Sequence, residues 1–97
     1  GIVMAGKKVV GPIIQAGEMA EAIIEAAGID NEGSKVNIVD RGSYIRIQLE
    51  SECILRRETI ENSLGRPFRM AELELVMPGF EGRIDTSTEQ VRFYTRN

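Results

Sequence analysis

The 97-residue chain contains no His and a single Cys, Cys53, so the side chains that most often do chemistry near neutral pH are nearly absent. A tetrahedral zinc site, an iron–sulfur cluster or a Cys–His catalytic pair cannot be assembled from this set within the chain. What remains is carboxylates. Glu18, Glu21 and Glu25 recur at helical spacing and project together, where they could ligate a cation or dock on a basic partner surface. Three carboxylates on one helix face also repel one another, and hard-cation sites draw their oxygens from several segments. A solvated face is the simpler reading. Cys53 stands in the apolar run Cys53-Ile54-Leu55 with no His to lower its pKa, and it is expected to be a buried, inert thiol.

The other chemistry-bearing groups are basic or aromatic. Arg92-Phe93-Tyr94-Thr95-Arg96 has the residue types of a strand that stacks bases on aromatics and holds phosphate with Arg. Phe93 and Tyr94 fall on opposite faces of a strand, however, and the chain has only two Tyr and three Phe. A core strand with a charged outer face fits better. Lys7-Lys8 and Arg56-Arg57 are pairs, too few to steer a polyanion. With 12 basic and 15 acidic residues interspersed and a net charge of −3, the basic cluster that nucleic-acid binding needs is missing, and no nucleic-acid partner is expected. Pro78-Gly79-Phe80-Glu81-Gly82 differs from these. Its glycines free the backbone, and Phe80 puts a ring on a segment with few buried neighbours, as in an interaction loop. Phe80 folding back as a core plug is the competing reading, and the residues leave both open.

The apolar pattern shows which elements must position these groups. Val9 to Ile14 is a β-branched run broken by Gly11-Pro12 and reads as an edge or irregular strand, because Pro removes a ladder donor. Met19, Ala20, Ile23, Ile24 and Ala27 form one face of a helix spanning about 17–27, with Glu18 and Glu21 in its first turn and Gly28 as the left-handed stop. Residues 29–34 read as a loop. Val36 and Ile38, then Ile45, Ile47 and Leu49, alternate about Asp40-Arg41-Gly42-Ser43 and predict a hairpin. Cys53-Ile54-Leu55 is a further strand, followed by a short helix over 59–64 that Gly65 and Pro67 stop. One more turn at 68–71 precedes Leu73, Leu75 and Met77, whose period of two predicts a strand. Residues 78–82 read as a loop, and Val91 and Phe93 as a last strand pairing with 83–85.

The two halves share this pattern. Val-Asp-x4-Ile-Arg-Ile at 39–47 matches Ile-Asp-x5-Val-Arg-Phe at 84–93, which predicts two βαββ-like units forming a compact two-layer α+β sandwich. A chain of this length is one domain, residues 1–97, burying roughly 65% of the surface its unfolded form exposes; residues 1–6 are expected to be flexible. One Cys allows no internal disulfide, and no run of about 18 apolar residues exists to span a membrane. Residues 1–6 are too short for a secretory core and precede Lys7-Lys8, the reverse of the order a signal needs. A cytoplasmic protein without a membrane partner is the expectation. An enzyme would need an acid–base pair with perturbed pKa values, and the carboxylates are dispersed. The residues by themselves thus describe a domain that binds something.

The stretch VNIVDRGSYIRIQLESECILRRETIENSLGRPF at 36–68 resembles the effector proteins, also called coupling or regulatory proteins, of bacterial multicomponent diiron monooxygenases. Val-Asp-Arg-x-x-Tyr at 39–44 and Leu-Gly-Arg-Pro-Phe at 64–68 carry the resemblance. Gly11-Pro12-Ile13-Ile14-x-Ala16-Gly17, Ile29-Asp30-Asn31, Glu72-Leu73-Glu74, Gly82 and Val91-Arg92-Phe93-Tyr94 extend it toward the toluene-oxidising branch. The resemblance implies two βαββ units and a non-catalytic subunit without cofactor or metal of its own, the diiron centre lying in a partner hydroxylase. Such a subunit binds the hydroxylase, tunes its active site and substrate access, and couples NADH and O2 consumption to hydroxylation of a hydrocarbon. An aromatic such as toluene, or an alkene, is the substrate implied. Competition with a Rieske ferredoxin or reductase for docking accompanies this expectation. A stand-alone small-ligand-binding regulatory domain is the alternative.

In the methane-oxidising relatives, the loop before the family's Gly-Arg pair lies close to the route into the hydroxylase pocket. Here Met77, Pro78, Gly79, Phe80 and Glu81 correspond to it, followed by Gly82-Arg83. The resemblance therefore implies hydroxylase docking through Met77, Pro78, Gly79, Phe80, Glu81 and Arg83, with Glu18, Glu21 and Glu25 as a weaker docking surface. The chain departs from the methane branch in having no long N-terminal tail, and it has Pro78-Gly79-Phe80 where those relatives carry small polar residues.

Overall fold

The computed structural model describes residues 8–95; the flexibility expected of residues 1–6 lies outside them. The elements are β1 (Val9–Gln15), α1 (Glu18–Asp30), β2 (Asn37–Asp40), β3 (Tyr44–Glu50), β4 (Glu52–Arg56), α2 (Arg57–Leu64), α3 (Ala71–Val76), β5 (Gly79–Glu81), β6 (Arg83–Thr86) and β7 (Gln90–Tyr94). They form a four-stranded sheet ordered β2-β3-β1-β5 and a three-stranded sheet ordered β4-β7-β6. All pairings are antiparallel. Within β1-α1-β2-β3 the first strand pairs with the third and the third with the second; β4-α2-β6-β7 does the same. The repeat expected from the sequence is thus a repeat of topology, an α+β sandwich, with α3 and β5 inserted into the second unit.

The core draws on both sheets and the helices. Val10, Ile14, Ile45, Ile47 and Leu49 from the larger sheet meet Cys53, Leu55, Val91 and Phe93 from the smaller one, with Ile23 and Ile60 from α1 and α2. Strict alternation along β3 and β7 sends every second side chain inward, the period that a half-buried strand requires. In α1, Ala22 and Ala26 join Ala20, Ile23 and Ala27 in the buried stripe. Small residues there let the helix lie close to its neighbours.

Several boundaries differ from the sequence reading, each for a physical reason. Helix α1 does not stop at Gly28 but runs to Asp30, because its end is fixed by tertiary bonds. The Asn31 amide donates to Ala27 O at 2.9 Å and to Ile54 O at 2.8 Å, and its Oδ1 accepts the Ile54 N–H at 2.8 Å. Asp30 accepts the Arg56 N–H at 2.8 Å and the Thr59 hydroxyl at 2.7 Å, joining the end of α1 to the end of β4 and the first turn of α2. Residues 29 and 30, expected in a loop, therefore belong to the helix and bind it to β4 and α2. Replacing Asn31 by Ala leaves both polar groups of Ile54 without this partner, and a loss of about 2 kcal/mol in urea unfolding is expected; a loss below about 0.5 kcal/mol would show that the tether carries no weight.

Residues 73–76 form helix rather than strand, and Met77 caps its end. Leu73 is buried while Val76 and Met77 pack against the core, which is i, i+3, i+4 spacing, whereas Leu75 is 78% exposed. The apparent alternation of Leu73, Leu75 and Met77 is a coincidence of composition. Glu72 begins this helix by accepting the Arg69 N–H at 2.9 Å and lying 3.4 Å from the Arg66 guanidinium. The Arg69 N–H first, and Arg66 after it, hold its carboxyl below the usual range. The end of α2 is as expected, with Gly65 left-handed and its N–H on Glu61 O.

Of the two readings of β1, the irregular strand holds and the edge strand does not. The strand lies between β3 and β5, and its pairing with β3 runs through Val9 and Val10, skips Gly11 and Pro12, and resumes in the same register at Ile13. Pro12, which has no N–H to give, thus falls in a gap of the ladder. Gly11 has φ +143°, and a Cβ there would stand 2.0 Å from Ile47 O.

Candidate functional site

The segment 78–82 is more ordered than a loop. Gly79, Phe80 and Glu81 form β5 on the outer edge of the larger sheet, with Ile13 opposite Gly79, Pro12 opposite Phe80 and Gly11 opposite Glu81. The loop expectation is corrected by this pairing, which the gap at Gly11-Pro12 accompanies on the other side of β1. Gly82 then turns the chain into β6 at φ +93°; a Cβ there would lie 2.6 Å from Val10 Cγ1. Only a glycine fits this corner.

Phe80 satisfies both sequence readings in part. Its ring lies 5.8 Å from that of Phe93 at 48°, a tilted aromatic contact onto the core, yet the residue remains 40% exposed. Pro78 and Arg83 are exposed, while Met77, Gly79 and Glu81 are half-buried. Glu81 is held by two side chains of β3. Its Oε1 accepts from Gln48 Nε2 at 3.0 Å and its Oε2 lies 3.5 Å from an Arg46 guanidinium nitrogen. Asn37 Nδ2 donates to Gln48 Oε1 at 3.0 Å, so a polar row crosses the outer face of the sheet from β2 to β5. Arg46 and Gln48 were not legible as neighbours of this segment, since pairing of β5 with β1 is what brings them there. Leu75, highly exposed just before the segment, was disguised by its false strand period.

The structure thus places Gly79, Phe80 and Glu81 on the edge of the larger sheet, with Met77 and Pro78 leading into it from α3 and Arg83 opening β6 of the smaller sheet. Glu18, Glu21 and Glu25 are all exposed on α1, where with Ile24, Ser63 and Leu64 they line an open groove beside α2. On the smaller sheet, Phe93 is buried while the Arg92 guanidinium lies 4.4 Å from the centre of the Tyr94 ring and pairs with Glu52. Strand β7 is a core strand with a charged outer face. Among the described residues, no three His, Cys, Asp or Glu side chains gather where they could hold a metal ion, and no helix is long and apolar enough to cross a membrane.

Cys53 is fully buried. Burial, and then the charges of Asp30 and Glu52, push its thiol up from 9.0 to about 12. A folded-state pKa above the unfolded one means stability that is whole below pH 9 and is lost as pH rises toward 12. The stability advantage of the wild type over Cys53→Ala is therefore expected to shrink by about 2 kcal/mol between pH 8 and pH 10.5 in urea titrations. A constant difference across that range would contradict the assignment.

Comparison with known proteins adds the family. The MmoB/DmpM family profile matches residues 8–94. The alkene monooxygenase effector subunit of Xanthobacter autotrophicus (strain ATCC BAA-1158 / Py2) is 41% identical over 91 residues, covering 94% of this chain and 90% of that protein. The fold is shared with a chain of the phenol hydroxylase–regulatory protein complex, at TM-score 0.79 and 24% identity over 92% of this chain and all of that one. It is also shared with the soluble methane monooxygenase regulatory protein B, at TM-score 0.68 and 18% identity, covering 99% of this chain and 71% of that one. The profile and the 41% identical relative decide between an effector and a stand-alone ligand-binding domain: this chain belongs to the MmoB/DmpM family, as an effector subunit, an accessory and non-catalytic component of a monooxygenase system.

Proposed function

We propose that this chain binds the diiron hydroxylase of its monooxygenase system through β5 and its flanks, Met77, Pro78, Gly79, Phe80, Glu81 and Arg83, and thereby tunes the active site and substrate access. The observation that carries this reading is Phe80, an aromatic ring left 40% exposed on an ordered sheet edge. Aromatic anchors of this kind dominate interface energetics. The structural kinship with a chain from a phenol hydroxylase–regulatory protein complex supports a hydroxylase partner. The acidic face of Glu18, Glu21 and Glu25 is a secondary contact for a basic surface, and a ferredoxin or reductase that docks on the same hydroxylase face competes with the effector.

The iron is the partner's. With no His in the chain and no metal-ligating cluster among the described residues, the residues present do not fit a diiron centre. The effector's contribution is differential affinity, since a partner that binds two hydroxylase states equally shifts neither. Moving a 1:99 population to 99:1 requires about 5.5 kcal/mol of preference, which an interface of ordinary size supplies. The favoured hydroxylase state is the one that couples NADH and O2 consumption to hydroxylation. The substrate is a hydrocarbon, aromatic or an alkene, an assignment supported by the 41% identical relative of an alkene monooxygenase system. Co-sedimentation with the purified hydroxylase tests the partnership: a Kd of about 1 μM or tighter is expected, and no complex at about 100 μM overturns it.

A further inference from the structure

We infer that Gln48, with Arg46, is a positioning residue for the docking strand. This inference rests on the reading that β5 docks on the hydroxylase, and it deepens that reading by naming what holds β5 in place. Strand β5 has only three residues and touches the sheet along one edge, with Gly79, Phe80 and Glu81 opposite Ile13, Pro12 and Gly11. So short an edge strand is poorly held by its backbone pairing alone.

The second hold comes from across the sheet. The register of β1 on β3 is the same on both sides of its gap, so Gly11 faces Gln48 on one side and Glu81 on the other. Between Gln48 and Glu81 stands Gly11, which has no side chain. Gln48 Nε2 spans it to reach Glu81 Oε1 at 3.0 Å. Asn37 orients the same amide by donating to Gln48 Oε1 at 3.0 Å, and Arg46 meets the other Glu81 oxygen at 3.5 Å. The row runs from one edge of the sheet to the other and ends on the residue next to Phe80. Fixing Glu81 fixes the backbone that carries Phe80, and a ring presented in one orientation binds without paying to order itself.

The test uses the full chain and three variants: Gln48→Ala, which removes the amide; Gln48→Lys, which restores a donor to Glu81; and Phe80→Ala, which removes the anchor. In the free protein, backbone order parameters at Phe80 and Glu81 are expected to fall in Gln48→Ala from about 0.85 to below about 0.7, with β3 and β7 unchanged, and to recover in Gln48→Lys. Affinity for the hydroxylase is expected to fall about tenfold in Gln48→Ala and to recover with Lys, while Tm falls by about 5–10 °C, as for the loss of two surface hydrogen bonds. Unchanged order parameters overturn the inference whatever the hydroxylase does. Lowered order with unaltered affinity overturns it too, and Phe80→Ala then tells which claim failed. Full affinity in Phe80→Ala removes the docking reading itself; lost affinity there removes only the positioning role.

Discussion

Gly11→Ala is expected to destabilise the protein by about 3–5 kcal/mol, enough to lower Tm by roughly 15 °C or more. Two terms add. At φ +143° an L-residue is strained by about 1–3 kcal/mol. The new Cβ would also stand 2.0 Å from Ile47 O and 3.0 Å from Ile47 C, and both are backbone atoms of an interior strand that cannot swing aside. Forcing β1 and β3 apart disturbs the core residues Val10, Ile14 and Ile47 on their inner faces, a further loss of about 1–3 kcal/mol. Set against a typical stability of 5–15 kcal/mol, this is the most damaging single methyl group the fold offers. Urea unfolding measures it directly, and a change of less than about 1 kcal/mol would mean that the β1–β3 gap is plastic.

Replacing residues 78–81 by Gly-Ser-Gly-Ser is expected to weaken hydroxylase binding about 100-fold, equivalent to about 2.7 kcal/mol, and to alter coupling or regioselectivity. The substitution removes the Phe80 ring and the Glu81 carboxylate together. It also removes the Phe80–Phe93 contact, worth about 1 kcal/mol, and the Glu81 contacts to β3, so Tm should fall by about 10 °C while the circular dichroism spectrum is retained. Retained folding beside a large binding loss is the signature sought. Unchanged affinity and unchanged product ratios in the grafted protein would remove this segment from the interface.

Much of the architecture was legible in local pattern. Alternation along Ile45, Ile47 and Leu49, the turn at Asp40-Arg41-Gly42-Ser43, and the stop at Gly65 are written in near neighbours, and the structure has them all. The misreadings share a cause, which is that a distant partner overrides the local signal. Gly28 would stop an isolated helix, but Asn31 and Asp30 are bound to β4 and α2 and carry the helix past it. Pro12 fits an edge or an irregular strand, and only the pairing of β1 with β3 and β5, with its gap at Gly11 and Pro12, selects the second. Leu73, Leu75 and Met77 fit two periods at once, and only the burial of Leu73 beside the exposure of Leu75 separates them. The site followed the same division. Phe80 stood out from its own neighbours in sequence, whereas the residues gripping β5, Arg46 and Gln48, are more than thirty positions away and meet it only through strand pairing.

The most direct test of an effector role is stimulation of the partner's chemistry. Purified hydroxylase is given its electron donors, NADH, O2 and a hydrocarbon substrate, with and without the full chain, and both product formed and NADH consumed are followed. Addition of one equivalent is expected to raise the rate of product formation severalfold and to bring NADH consumed per product toward unity. A product rate and an NADH-to-product ratio that stay the same at stoichiometric addition would contradict the account.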